Sequence, residues 1–217
     1  MLTSAPVHGI TEWQSVAIDS DADDLREYIL TGYKSGKPFT PYVPTIPVPS
    51  AIDWVLDFGC GVGRNFPYLK SIARHVMGFD LPPMVVRCRA LASAPVDLLS
   101  DDWASVSARR FDMVFAALVL QHVEPDACRM YLADFARIAP VTYLLTRLQS
   151  DFGENVMAIV SDSRLFEVEA CAEVEHDAST HTLRQVGQPS FTAISRATDN
   201  RHYEVRLRSK LTATQTR

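Results

Sequence analysis

The sequence predicts an α/β protein built on a mostly parallel sheet flanked by helices, and three observations carry that expectation. Short apolar runs alternate with segments of helical period between Ile52 and Leu148. Acidic residues mark the ends of successive runs: Asp57 in the first, Asp80 after the second, Asp101 and Asp102 after the third. Alternating glycines, Gly59, Gly61 and Gly63, join the first run to the helical segment behind it. Strand–helix alternation implies right-handed crossovers and therefore parallel strands. Open sheets of this kind bind ligands outside the carboxyl ends of their strands, so acids and glycines gathered there mark a candidate site.

Each element has its own justification. Ala51 to Phe58 is an apolar run of the length expected for a strand buried on both faces. Asn65 to Ala73 places Phe66, Leu69, Ile72 and Ala73 at helical spacing, with Pro67 tolerable in the first turn. His75 to Phe79 is a second strand, and Pro82-Pro83 opens a helix carrying Met84, Val85, Cys88 and Leu91 on one side. Val96 to Leu99 is a third strand and the apolar stretch Phe111 to Leu120 a fourth. Glu124 to Ile138 is helical, with Tyr131, Leu132, Phe135 and Ile138 inward, and Val141 to Leu148 is a fifth strand.

The flanks read differently. Residues 1–19 show no clear period. Ser20 and Asp23 form a capping pair for a helix that runs towards Tyr33, with Leu25, Tyr28 and Ile29 on one face and Gly32 as a stop. Prolines at 38, 41, 44, 47 and 49 make Lys37 to Ser50 a semi-extended connector, because proline cannot donate and its φ is fixed. Towards the C-terminus, Glu154 to Ser163 reads as a helix. Leu165 to Val174 and Phe191 to Ala197 read as two strands with no helix between them, hence an antiparallel pair. His202 to Lys210 reads either as one further strand or as part of a solvated basic tail. The expected organisation is 1–50 as helix and connector, 51–200 as the ligand-binding domain, and 201–217 as tail or extra edge strand.

Composition narrows the function classes. The 217 residues are 47% hydrophobic, enough for one globular domain with a sizeable core. No apolar run approaches the roughly 18 residues of a membrane span, and Met1 to Ile10 lacks the pattern of a secretory signal. Cys60, Cys88, Cys128 and Cys171 are widely spaced, which suggests neither a zinc site nor a disulfide framework and points to a reducing, cytoplasmic setting. A net charge of −5 argues against strong non-specific nucleic-acid binding. No metal is expected, and oligomeric state is not legible.

The glycines admit two ligand classes. A dinucleotide fingerprint needs a further glycine three positions after the second. Arg64 or Phe66 stands there, depending on register, so that fingerprint fails. The pattern present is acid-x-Gly-x-Gly-x-Gly, from Asp57 to Gly63. With it the stretch resembles the cofactor motif of class I S-adenosylmethionine-dependent methyltransferases, of the small single-domain type 11/25 kind. The fourth strand, ending Leu118-Val119-Leu120-Gln121-His122-Val123, is also similar to small-molecule members of that family. Two departures stand out. Ile138-Ala139-Pro140-Val141 replaces the family's usual Pro-Gly-Gly turn, and the Asn/Asp-Pro-Pro-aromatic motif of base-methylating members is absent.

The resemblance implies a Rossmann-like, mostly parallel seven-stranded sheet with an antiparallel strand near the C-terminal edge, and S-adenosyl-L-methionine as cofactor. It implies cofactor contacts from Asp57, Gly59, Cys60, Gly61, Gly63, Asp80, Leu81, Asp101, Asp102, Trp103 and Leu118. Asp80 would accept from the ribose hydroxyls, since a carboxylate is acceptor-only; its other reading is a helix N-cap. Asp57 would offset the cofactor's ammonium or brace the loop. The adenine amine falls to Asp101 or Asp102, and Trp103 either covers the ring or is ordinary core. Tyr28 and Tyr33 are candidates for the acceptor pocket or for helix packing. His122 is a candidate base near the mouth or a structural histidine. The function expected is methyl transfer to oxygen or nitrogen of a small-molecule substrate. The alternatives are a protein or RNA methyltransferase that recruits its substrate through the basic tail, and a catalytically silent member of the fold.

Overall fold

The computed structural model describes residues 41–91, 94–177 and 182–211. The expected helix at Ser20 to Tyr33, with Tyr28 and Tyr33, lies outside the described residues. The strands are β1 (Ile52–Phe58), β2 (Ala73–Phe79), β3 (Leu98–Ser100), β4 (Met113–Ala117), β5 (Val141–Arg147), β6 (Phe166–Asp177), β7 (Thr182–Gly187) and β8 (His202–Ser209). The helices are α1 (Phe66–Ile72), α2 (Pro82–Leu91), α3 (Trp103–Ser107), α4 (Pro125–Ile138), α5 (Val156–Ser163) and α6 (Phe191–Ile194), with a 3-10 turn at Leu120–His122. One sheet carries all eight strands in the order β3-β2-β1-β4-β5-β8-β6-β7.

Strands β1 to β5 pair in parallel, which puts their carboxyl ends on one edge. Because successive side chains point to opposite faces, the strands feed two cores. Leu56, Phe58, Val114, Ala116 and Leu144 pack on one face, with residues of α4 and α5. Val55, Met113, Phe115, Tyr143 and Leu145 pack on the other, with Phe66 and Leu69 of α1. Helix α4 buries Cys128, Tyr131, Leu132, Phe135 and Ile138, the inward stripe that its sequence period predicts.

The C-terminal third departs from the sequence reading. Among the described residues the sheet has eight strands rather than seven, because Thr182–Gly187 pairs with β6 as an extra antiparallel edge. Phe191–Ala197 is not a strand. The Ser190 hydroxyl accepts from Ala193 N–H (3.2 Å) and starts the short helix α6, while Asn155 Nδ2 donates to the Ile194 and Ala197 carbonyls (2.9 and 2.8 Å). Local capping there overrides the β-propensity of Phe191, Thr192 and Ile194. His202–Ser209 is neither a tail nor an edge strand: it lies between β5 and β6, antiparallel to both. Its basic residues hide a strict alternation, Tyr203, Val205 and Leu207, that fills one core.

The opposite face of β8 holds Glu204, which is fully buried. The Tyr143 hydroxyl donates to its Oε1 (2.6 Å), Thr45 N–H donates to Oε1 and Oε2 (2.9 and 3.1 Å), and the Thr45 hydroxyl donates to Oε2. Arg206, two residues on, donates to the Pro47 carbonyl. The proline-rich connector is thereby tied across the sheet rather than hung beside it. Replacing Glu204 by Ala strands the Tyr143 hydroxyl and the Thr45 amide in the interior and is expected to cost about 3 kcal/mol. Urea unfolding measures this, and an unchanged midpoint would refute the tether.

Candidate functional site

The loop from Gly59 to Gly63 leaves β1 at the carboxyl edge and is held from both sides. Gly59, Gly61 and Gly63 all have left-handed φ, at 70°, 55° and 81°. At Gly59 the requirement is also steric, since an added Cβ would sit 2.4 Å from Cγ2 of Val119 in the loop after β4. Gly59 and Cys60 both donate to the Phe79 carbonyl at the end of β2 (2.8 and 3.0 Å). Gly61 N–H donates to Asp80 Oδ2 at 2.6 Å, and Leu81 N–H to Oδ1 at 2.7 Å. Cys60 is buried, and the adjoining Cys88 thiol together with burial pushes its own thiol well above the usual range.

Two acids at adjacent strand ends are unusual in their protonation. Burial raises Asp80 to about 6, partly opposed by the Gly61 and Leu81 amides. Each Asp80 oxygen keeps acceptor capacity beyond its one amide bond. Asp57 is 1% exposed, and neither of its oxygens has a hydrogen-bond partner among the described residues. Burial drives its carboxyl well above the usual range. The Asn65 side chain, short of hydrogen-bond geometry to either oxygen, opposes the rise and the Asp80 charge adds to it. A buried acceptor pair without donors fits a cationic group with several N–H donors.

The third strand end separates the residues that the sequence left together. Asp102 is the N-cap of α3, its Oδ1 accepting from Ala104 N–H at 3.0 Å. Asp101 is exposed at the same turn and makes no hydrogen bond among the described residues. Trp103 packs in an aromatic cluster with Phe58, Phe79, Tyr131 and Phe135, and its Nε1 donates to Asp134 at 2.8 Å. Packing occupies this indole.

Beyond β4, Leu118 adopts a left-handed φ of 58° and donates to the Leu145 carbonyl at 2.7 Å. For a leucine that conformation is strained, as is common where a chain must turn sharply beside a ligand site. Next come buried Gln121 and half-buried His122. His122 Nδ1 lies 2.6 Å from Asp151 Oδ2, and Asp151 Oδ1 accepts from Arg147 at 2.9 Å. Burial raises the Asp151 carboxyl, but the hydrogen bond and charge of His122, with Arg147, outweigh it and bring it below its usual value. Sequence reading passed over Asp151, Arg147, Gln121 and Asn65. Asp151 lies 29 positions from His122, and only the convergence of the loops after β4 and β5 pairs them.

Residues 55–140 match the profile of a family described as methyltransferase domain. Over that stretch the chain is similar to this family. Among solved structures, the N-methyltransferase NodS from Bradyrhizobium japonicum WM9, in complex with S-adenosyl-L-homocysteine, superposes with a TM-score of 0.51 at 13% identity, over 74% of this chain and 79% of NodS. A structure described by the conversion of a disulfide bond into a thioacetal group during echinomycin biosynthesis matches with a TM-score of 0.51 at 19% identity, covering 75% of this chain and 78% of the other. At these identities the likeness is one of fold. No curated protein matches the sequence. Among the described residues, no helix is long and apolar enough to cross a membrane, and no group of His, Cys, Asp and Glu has the arrangement of a metal site.

The residues present fit the cofactor: Asp57 offers unmatched acceptors to an ammonium, and Asp80 offers lone pairs to a ribose. Ionised Asp80 accepts two hydroxyls, whereas its protonated form gives up part of that capacity. Affinity for S-adenosylhomocysteine is therefore expected to fall as pH drops through about 6, with Asp80→Asn losing that step. The folded state responds in the opposite sense. A carboxyl raised by folding contributes stability below its unfolded value, and loses it as pH rises through about 6. Calorimetric titrations from pH 5 to pH 8 read the first effect, and an affinity independent of pH in this window would refute it.

The contact between Gly59 and Val119 gives a second check. Gly59→Ala adds a Cβ at an unfavourable φ and against Val119, so a loss of about 2 kcal/mol or more is expected. Val119→Ala in the same chain should recover part of it, leaving the φ penalty. Additive effects in a double-mutant cycle would show that the two residues do not press on one another.

Proposed function

We propose that this chain transfers a methyl group from S-adenosylmethionine to oxygen or nitrogen of a small-molecule acceptor. The observation that carries the reading is Asp57, a carboxylate buried without a donor beside a glycine loop that Asp80 holds. In this reading Asp57 takes the cofactor's ammonium, and Gly59, Cys60, Gly61 and Gly63 give its amino-acid part close backbone contact. Asp80 takes the ribose and Leu81 lines it. Asp101 takes the adenine amine, being the acid of the pair that caps no helix. Leu118 borders the site from the β4 side. His122 is the base, and Tyr28 and Tyr33 stay candidates for the acceptor pocket. The sulfonium supplies an activated methyl group, so the chain's own task is to align the acceptor and exclude water. Four unpaired cysteines suit a cytoplasmic setting.

Recruitment of a macromolecule by a basic tail has less support. Arg201 is paired with Asp199 and Glu173, and Arg206 and Arg208 with Glu169. These cations neutralise neighbours, and Arg206 and Arg208 sit on a strand inside the sheet. Isothermal calorimetry with S-adenosylhomocysteine tests the main reading. Micromolar affinity is expected, weakened roughly tenfold to a hundredfold in Asp57→Ala by loss of a charge-assisted contact of about 1.5–3 kcal/mol. No binding at millimolar ligand would sink the proposal.

A further inference from the structure

One side-chain network ties the loop after β4 to the loop after β5. Gln121 is 3% exposed, and its Oε1 accepts from Arg147 N–H (3.2 Å) and the Thr146 hydroxyl (3.0 Å). A backbone N–H can only donate, so the amide oxygen must face Arg147 and the amide NH2 must face His122. Gln121 Nε2 is 3.3 Å from His122 Nε2, which is therefore the accepting nitrogen. The ring proton then belongs on Nδ1, which donates to Asp151 at 2.6 Å. Asp151 is itself fixed: its N–H donates to the Gln121 carbonyl (2.8 Å), and its Oδ1 accepts from Arg147. A buried amide and a paired carboxylate thus select one tautomer of one histidine.

We propose that Asp151 is a positioning residue which, with Gln121, holds His122 in its Nδ1–H form so that Nε2 is the general base for a hydroxyl acceptor. This rests on the methyltransferase reading above. His122 Nε2 takes the acceptor's O–H proton as the oxygen bonds to the methyl carbon. The carbon–sulfur bond breaks, its electron pair stays on sulfur, and S-adenosylhomocysteine is left as a neutral thioether. Asp151 lies against the far nitrogen and stabilises the imidazolium until it releases the proton to water. The incoming hydroxyl takes the place of the Gln121 amide at Nε2. A neutral amine attacks through a lone pair it already has. A built histidine–carboxylate pair points instead to an alcohol or phenol, whose nucleophile is unmasked by proton removal.

Nitrogen-15 NMR of the histidine rings, on the full chain saturated with S-adenosylhomocysteine, reads the tautomer. Methyl transfer from radiolabelled S-adenosylmethionine to paired panels of small phenols and the matching anilines reads the acceptor class. The expected result is a His122 ring protonated at Nδ1, transfer to phenols, and a kcat lowered roughly a hundredfold in Asp151→Ala with the cofactor KM unchanged. Asp151→Asn, whose amide oxygen can still accept from Nδ1, should keep the tautomer and recover little of the rate. Protonation of wild-type His122 at Nε2, transfer to anilines alone, or an unchanged kcat in Asp151→Ala overturns the proposal. S-adenosylhomocysteine affinity separates the two levels. If the wild type does not bind it, the methyltransferase reading fails; if it binds and His122 is protonated at Nε2, only the pair fails.

Discussion

The hydrogen bond from Gly61 N–H to Asp80 is the contact on which the site depends. It joins the loop after β1 to the end of β2, and it requires Gly61 in a left-handed conformation with its amide turned towards the neighbouring strand. The two bonds from Gly59 and Cys60 to the Phe79 carbonyl seat the same loop on the same strand end. Val119 closes it from the other side, in contact with the position a Gly59 Cβ would take. The loop is therefore clamped between β2 and β4, the strands that flank β1 in the sheet. A parallel sheet makes this possible, because only then do three adjacent strand ends and their loops meet on one edge.

That arrangement explains which parts were legible in the sequence. Strands β1, β2, β4 and β5 carry their own apolar runs, and the glycines and acids follow them directly, so period and spacing find them. The helix α4 announces itself through the stripe Tyr131, Leu132, Phe135, Ile138. Strand β8 was obscured because its charged residues alternate with its core residues, and because Glu204 is buried by partners 61 and 159 positions away. Phe191 and Ile194 look like strand residues until Ser190 and Asn155 capture the backbone. Such long-range partners leave no local signature.

The site divides along the same line. Asp57, Gly59, Gly61 and Asp80 lie within 24 positions of one another and meet through one pair of neighbouring strands. What distinguishes Asp101 from Asp102 is a cap visible only in three dimensions. Trp103 shows the converse, an aromatic at the expected position whose ring is claimed by four other aromatic side chains. Asp151 belongs to a different loop from His122, and no spacing rule connects them.

Protonation sorts the carboxylates by task. Asp97, against the cost of its burial, is brought to about 2 by Lys70, the Val76 amide and His75. Asp199 is lowered by Arg201, and Asp151 by His122 and Arg147. Each of these acids is matched by donors inside the chain. Asp57 and Asp80 go the other way, raised by burial and, for Asp57, by the neighbouring charge. Asp57 has no donor among the described residues, and Asp80 has one backbone amide for each oxygen, both at the edge where the strands end. Holding them so lowers the stability of the empty fold. A cationic, hydroxyl-bearing ligand bound there, as proposed above, would reverse that cost, and its binding free energy would include relief of the protein's own electrostatic penalty.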